Sequence, residues 1–298
     1  MPDEKTVLSR NINQDSLITQ MSNPAIDLSF KPVENPSPKH LSQEQVAHYN
    51  EQGYVMPFDI FNPLEAERNR TYFDYLLAAM RAFNDGRDSY AINAYHSRCR
   101  GIYEMATDSR ILDLVEDIVG PNIVIWGTHF FCKVPHDPKS VPWHQDASYW
   151  PLSPARTVTA WIAIDDVDVE NSAMHVIPKT HHKGHLKWKK AEGPTVLSQE
   201  IEEVEQYGKP VPIELRAGQI SLHADMIVHG SQPNRSARRR CGLTVRYAPP
   251  EVEPINRDWG VNSIIARGSA PSGWWANKPK PPGEDISSPD KPKAIGGN

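Results

Sequence analysis

His144 and Asp146 stand two residues apart in Pro142-Trp143-His144-Gln145-Asp146, and His229 answers them much later in Val228-His229-Gly230-Ser231. In an extended backbone, side chains two apart share a face, so His144 and Asp146 can reach one centre, and a sheet can return His229 to it. Two neutral imidazoles and one carboxylate make a ligand set that suits Fe(II). Such a set occupies one face of the metal and leaves positions open for oxygen and an organic cosubstrate. Cys99, Cys132 and Cys241 are scattered without C-x-x-C spacing, which counts against an iron–sulfur cluster or a structural zinc site. An isolated H-x-D is common; its pairing with a distal histidine and then an arginine is what makes the pattern specific.

That arginine is Arg240. A keto-acid cosubstrate needs a cation at the far end of its pocket, and a guanidinium grips a carboxylate with two parallel hydrogen bonds. Strand parity places Arg240, Thr244 and Arg246 on one face and Leu243, Val245 and Tyr247 on the other. The arginine face is expected to line the interior, where Arg246 could meet an anionic group. Arg238 and Arg239 read as a solvated charge run. Tyr149 and Trp150 follow the ligand pair and could line the mouth of a pocket, although packing is the commoner role of such aromatics.

The elements that must position these residues begin with helices. Ser42 with Gln45 forms a capping box before a short helix stopped by Gly53. Asn62-Pro63 opens a longer helix running to about Phe83. Asp108 caps a third, with Ile111, Leu112, Leu114, Val115 and Ile118 as its apolar face and Gly120 as its stop. From Asn122 the pattern becomes one of short strands: 123–126, 130–134, 157–164, 173–177, 211–215, 219–223, 226–229 and 241–248. In the third of these stretches, Val158, Ala160, Ile162 and Ile164 alternate with Thr159, Trp161 and Ala163. The fold class expected is mainly β with flanking helices on one sheet, a double-stranded β-helix of the jelly-roll or cupin type. Residues 183–209 interrupt the strands as a loop over the barrel mouth, with a helix over 199–206. His181-His182-Lys183-Gly184-His185 at its start reads as a solvated basic loop rather than a second metal site. The division expected is an extended arm over 1–40, one catalytic domain over 41–267, and a Pro- and Lys-rich tail over 268–298. Trp274-Trp275 in that tail should dock on its own domain or on a partner subunit.

The chain has 298 residues, a net charge of -5 and a pI near 6.2. These values argue against nucleic-acid binding, which needs a basic footprint. An odd number of unpaired-looking cysteines, no apolar run of membrane-spanning length and no basic-then-apolar leader lead to the expectation of a reduced, cytoplasmic protein with no membrane partner. Two extended arms make a homodimer plausible.

Three segments carry a family resemblance: Trp143-His144-Gln145-Asp146; Ser172-Ala173-Met174-His175-Val176-Ile177-Pro178-Lys179-Thr180-His181; and His229-Gly230-Ser231-Gln232-Pro233-Asn234 through Arg240. Together they resemble the phytanoyl-CoA dioxygenase family, over about Leu41 to Tyr247. The resemblance implies a double-stranded β-helix and an Fe(II), 2-oxoglutarate-dependent oxygenase that uses O2. It implies His144, Asp146 and His229 as iron ligands and Arg240 as the partner of the distal 2-oxoglutarate carboxylate. Ser231, Trp161, Gln145 and Lys133 resemble further cosubstrate-pocket residues, and Asn93, Tyr95 and His96 fall in the helical region that covers the site in relatives. The family's Pro-Gly-Ser-His turn is Pro178-Lys179-Thr180-His181 here, which replaces a glycine able to adopt positive φ. Related halogenases carry a small residue where this chain has Asp146, so hydroxylation of a small-molecule substrate is expected over halogenation. The amino acids, acyl thioesters and natural-product intermediates that such enzymes oxidise all stay open, as do desaturation, cyclisation and epimerisation. A non-catalytic cupin-like binder is the alternative from another class.

Overall fold

In the computed structural model, residues 26–287 are described. Three capped helices lead in, as their sequence signals dictate. α1 (Gln43–Gln52) carries the Ser42/Gln45 capping box and ends on Gly53 at φ 86°, a left-handed turn that favours glycine. α2 (Pro63–Arg81) has Asn62 as N-cap, its side chain accepting from Leu64 and Glu65 N–H. A short α3 (Arg100–Ala106) follows, then α4 (Ser109–Val119), capped by Asp108. The apolar face expected for α4 is buried in full, each side chain contributing about 1.5–3 kcal/mol by leaving water.

The strands are β1 (Tyr54–Asp59), β2 (Ile123–Lys133), β3 (Val141–Gln145), β4 (Leu152–Ser153), β5 (Val158–Ala163), β6 (Met174–Ile177), β7 (Trp188–Lys190), β8 (Gln199–Ile201), β9 (Val211–Ile213), β10 (Gln219–Ala224), β11 (Val228–Ser231), β12 (Arg240–Ala248), β13 (Glu253–Pro254) and β14 (Ile264–Arg267). A six-stranded sheet runs β1-β10-β5-β12-β2-β14 and a four-stranded sheet runs β3-β11-β6-β9. Every pairing is antiparallel. These two sheets form the expected double-stranded β-helix. The helices pack on the outer face of the larger sheet: Phe73, Leu76, Met80, Ile111 and Val115 share one core with Val158, Ala160, Ile162, Leu243 and Val245. Trp161 and Ala163, on the opposite parity of β5, face the smaller sheet with Met174 and Val176. Period-2 alternation therefore separates a structural core from a functional interior.

Three expectations need correction. β2 is one continuous strand rather than two. The helix expected over 199–206 is absent: Gln199–Ile201 pairs with Trp188–Lys190 as a hairpin, followed by a single 3-10 turn over Val204–Tyr207. Lys179 does adopt positive φ, at 69°, so the turn survives the loss of glycine. Its strain, of the order of 1–2 kcal/mol, is offset by Lys179 N–H donating to Gln52 O and Thr180 Oγ1 donating to Ile177 O.

The segments outside the barrel are folded against it. The Asp117 carboxylate, buried on α4, accepts from the backbone N–H groups of Lys39, His40 and Leu41 and so fixes the entering chain. These donors hold its pKa low against burial, which pushes it upward. At the other end, Trp275 is buried and its indole N–H donates to Val252 O at 3.1 Å. Ile286 reaches the main core, and Gly283 O accepts from Arg100 N–H. The tail's aromatic pair thus docks on its own domain. Residues 1–25 and 288–298 of the two expected arms lie outside the described residues. Among the described residues, no helix is long and apolar enough to cross a membrane.

Candidate active site

β3 and β11 are neighbours in the smaller sheet, and His144 and His229 are direct register partners. Asp146 follows β3 immediately, one alternation beyond His144. The three side chains converge: His144 Nε2 is 3.5 Å and His229 Nε2 3.9 Å from Asp146 Oδ1. All three candidate ligand atoms lie within 4.8 Å of one another, the only such His/Cys/Asp/Glu group among the described residues. Each imidazole is aimed from behind. His144 Nδ1 is 2.8 Å from Pro142 O and His229 Nδ1 is 3.1 Å from Ile227 O. A carbonyl only accepts, so the proton sits on Nδ1 and the Nε2 lone pair faces the common centre.

The electrostatics agree. Burial would raise the Asp146 carboxyl, yet the neighbouring His144 and His223 imidazoles and the field of His229 hold it well below the ordinary carboxylate range. Burial, and then neighbouring His144, push His229 well below its ordinary value. An ionised carboxylate and neutral imidazoles are the protonation states a divalent cation requires. No thiolate is close by: Cys132 and Cys241 are buried in the core on the other side of the larger sheet.

These ligands border a cavity that also meets Trp161, Ser231, Arg240, Thr244 and Arg246. Arg240 opens β12, is 2% exposed, and donates from Nε to Ser172 O and from Nη2 to Ser231 Oγ, both at 2.9 Å. Those bonds lock the guanidinium while its remaining edge borders the cavity, where a carboxylate can dock. Trp161 forms the adjoining wall, its ring 5.7 Å from the guanidinium carbon. It fits because Gly242, the diagonal neighbour on β12, has no side chain: a Cβ there would stand 2.0 Å from the indole Cζ2.

Other sequence candidates sit elsewhere. Gln145, between the two β3 ligands, points out of the opposite face by the same alternation that turns His144 and Asp146 inward. Its amide donates to Gly184 O and Met226 O and its carbonyl accepts from Leu186 N–H, which clamps the covering loop. Lys133 pairs with Arg240 across the ladder but donates to Lys139 O and Gln232 O, bracing a turn outside the cavity lining. Burial and then the Arg240 charge lower its pKa to about 6. Tyr149 and Trp150 pack rather than line. The Tyr149 hydroxyl accepts from Gln199 N–H, and Trp150 meets Trp126 edge-on at 4.6 Å. Asn93 bridges to His129, Tyr95 is hydrogen-bonded to Arg87, and His96 lies 3.2 Å from Thr128 Oγ1; none of the three lines the cavity. His181 and His182 both turn to Asn50 O and converge on no metal group.

One residue was missed. His223, on β10, borders the cavity with Nε2 3.9 Å from Asp146 Oδ2 and its ring 5.0 Å from that of His229. The signal was present, because Ile220, Leu222 and Ala224 fill the core and leave Ser221 and His223 facing inward.

The comparisons with known proteins fall on this site. A sequence profile described as phytanoyl-CoA dioxygenase (PhyH) matches residues 49–242, which takes in every residue of the triad and Arg240. The peroxisomal phytanoyl-CoA dioxygenase of Bos taurus is 25% identical over 242 residues, covering 72% of this chain and 71% of that protein. Among solved structures, the apo non-heme monooxygenase ThoJ superposes with a TM-score of 0.67 at 24% identity, covering 80% of this chain and 88% of its own. SnoK, a non-heme alpha ketoglutarate dependent carbocyclase from nogalamycin biosynthesis, gives a TM-score of 0.61 at 21% identity, covering 74% and 89%. The last two establish a shared fold. The profile match takes in α2 to α4 and most of the barrel, and the chain belongs to the phytanoyl-CoA dioxygenase family.

Proposed function

We propose that this chain is an Fe(II)- and 2-oxoglutarate-dependent oxygenase that hydroxylates an unactivated C–H bond of a small molecule, releasing succinate and CO2. The observation that carries the reading is the convergence of His144, Asp146 and His229 on one point of a cavity whose other polar wall is the locked Arg240. The triad would hold the metal through two Nε2 atoms and one carboxylate oxygen. Arg240 would receive the distal carboxylate of 2-oxoglutarate, with Ser231 fixing the guanidinium and Trp161 closing the wall. When bound, the iron with its keto acid supplies the activation of O2 that no amino-acid side chain can provide. The protein's own contribution is placement and dryness. Apart from the partly exposed Phe131 the lining is buried, so a reacting carbon held there would be largely screened from water.

Desaturation, ring closure and epimerisation share these cofactors, and the carbocyclase title of SnoK illustrates how far outcomes diverge on this fold. A metal-binding protein without turnover would have no use for a buried guanidinium preset for a carboxylate, which favours the enzyme. The deciding experiment is anaerobic titration with Fe(II) and then 2-oxoglutarate, followed by admission of oxygen. A weak visible charge-transfer band and oxygen-dependent succinate are expected from the natural chain, and neither from Asp146→Ala. A D146A variant that forms succinate as fast as the parent would overturn the assignment.

A further inference from the structure

Three charged residues line the cavity, Asp146, Arg240 and Arg246, and the proposed function employs only the first two. Arg246 is 5% exposed. Its Nε is buried with no hydrogen-bond partner, and among the described residues no carboxylate forms an ion pair with it. Its guanidinium carbon lies 5.6 Å from the Trp126 ring centre and 5.1 Å from that of Trp150. Gly127 faces it across the ladder, and a Cβ there would already stand 3.4 Å from the Arg246 Cδ and Nη1. The side chain is therefore seated in place by two indoles and a glycine, with its fork bordering the same space as the metal ligands. Contacts with aromatic faces offset only part of what a guanidinium loses on leaving water. The carboxylate whose field reaches it, Asp146, forms no ion pair with it and faces the two imidazoles instead, so the guanidinium is left to take a further anion.

Charge balance says how much anion. The two arginines and Asp146 leave the cavity with one positive charge. A ferrous ion and a 2-oxoglutarate dianion cancel each other, so that single charge persists in the loaded site. We propose that Arg246 determines specificity and that the substrate is a monoanionic organic acid, its carboxylate paired with the Arg246 fork and its carbon skeleton directed toward the triad. Bidentate pairing of guanidinium with carboxylate gives the substrate a fixed orientation as well as affinity. A neutral substrate would leave the cation buried and unpaired. The count of charges rests on the Fe(II) and 2-oxoglutarate reading above; the unpartnered Arg246 does not.

The test uses benzoate as a planar monoanion and benzamide as its neutral counterpart, added to anaerobic protein loaded with Fe(II) and 2-oxoglutarate. The charge-transfer band reports the cosubstrate and serves as the control for the underlying reading. With the band formed, benzoate should perturb it and raise the thermal midpoint saturably, at concentrations at least tenfold below those at which benzamide acts. Arg246→Met should still form the band with 2-oxoglutarate but bind benzoate at least tenfold more weakly, and Arg246→Lys should fall between. Equal effects of benzoate and benzamide on the natural protein would overturn the proposal. So would an R246M variant that loses the band, since Arg246 would then be serving 2-oxoglutarate. If the natural protein forms no band, the iron reading fails by itself, and thermal midpoints of the metal-free protein decide the anion question: no preference for benzoate there refutes the role of Arg246. Should R246M not fold, R246K supplies the same comparison, with undiminished benzoate binding as the refuting result.

Discussion

Gly242 offers a sharp test of how the cavity wall is built. No positive φ is involved, so glycine is needed there for space alone. A methyl group at 242 would meet Trp161 Cζ2, Cε2 and Cη2 at 2.0, 2.4 and 2.5 Å, against ordinary contact distances of about 3.5–4.0 Å. Trp161 is 2% exposed and flanked by Met174 and Val176, so the indole has little room to retreat. Gly242→Ala should therefore cost about 1–3 kcal/mol, the usual penalty of an overpacked site. Because Trp161 also borders the cavity, 2-oxoglutarate affinity should fall roughly tenfold, about 1.4 kcal/mol. Trp161→Leu removes the atoms that clash. In that background G242A should be neutral or should stabilise, since glycine in a strand interior is itself about 0.5–1 kcal/mol unfavourable. The coupling energy, read from urea midpoints of the four proteins at matched m-values, should come out near 2 kcal/mol. Additivity to within about 0.5 kcal/mol would refute the steric reasoning, because that is the behaviour of sites that do not touch.

Two further outcomes follow from buried polar groups. Gln145→Leu leaves Gly184 O, Met226 O and Leu186 N–H without their side-chain partner, at about 1–3 kcal/mol per buried group stranded; trypsin should then cut at Lys183 or Lys187 well before it cuts the parent, and unchanged protection there would show that Gln145 is no clamp. His129, 3% exposed, has its pKa pushed down to about 3, first by burial and then by the Arg246 charge. A folded-state value below the unfolded one stabilises above pH 6.5, and that stabilisation is lost as pH falls toward 3. Between pH 7 and pH 5 the contribution amounts to about 2 kcal/mol, so His129→Gln should lose less stability over that interval than the parent by about that amount, and identical pH profiles in urea unfolding would contradict it.

The helix starts and the strand parity of β5 and β12 were legible because each is a local effect: a cap satisfies its own helix, and alternation needs no knowledge of the partner strand. The same locality explains the failures. Gln199–Gln206 is rich in Glu and Gln and reads as a helix, but Trp188 across the hairpin and the Tyr149 hydroxyl on Gln199 N–H outweigh that weak preference. The division expected between 126 and 130 does not exist because Gly127, Thr128 and His129 all keep ladder partners on β12. Gln145 was assigned to the cosubstrate by family likeness although the alternation that turned its neighbours inward sends it outward. His223 escaped notice because no motif names it; alternation along β10 turns it inward, and the pairing of β10 with β5 brings it to Asp146.

The indoles that seat Arg246 are not held by the barrel alone. Trp126 and Trp150 share a cluster with Trp275 and are backed by Trp259 and Trp274, two of these five coming from the segment after Arg267. An appendage remote from the metal thus acts as a buttress for the substrate anchor. Deleting it, or fusing an affinity handle close behind it, will loosen the grip on the acid while leaving the cosubstrate cradle intact, so a tailless preparation would be misjudged as an idle enzyme.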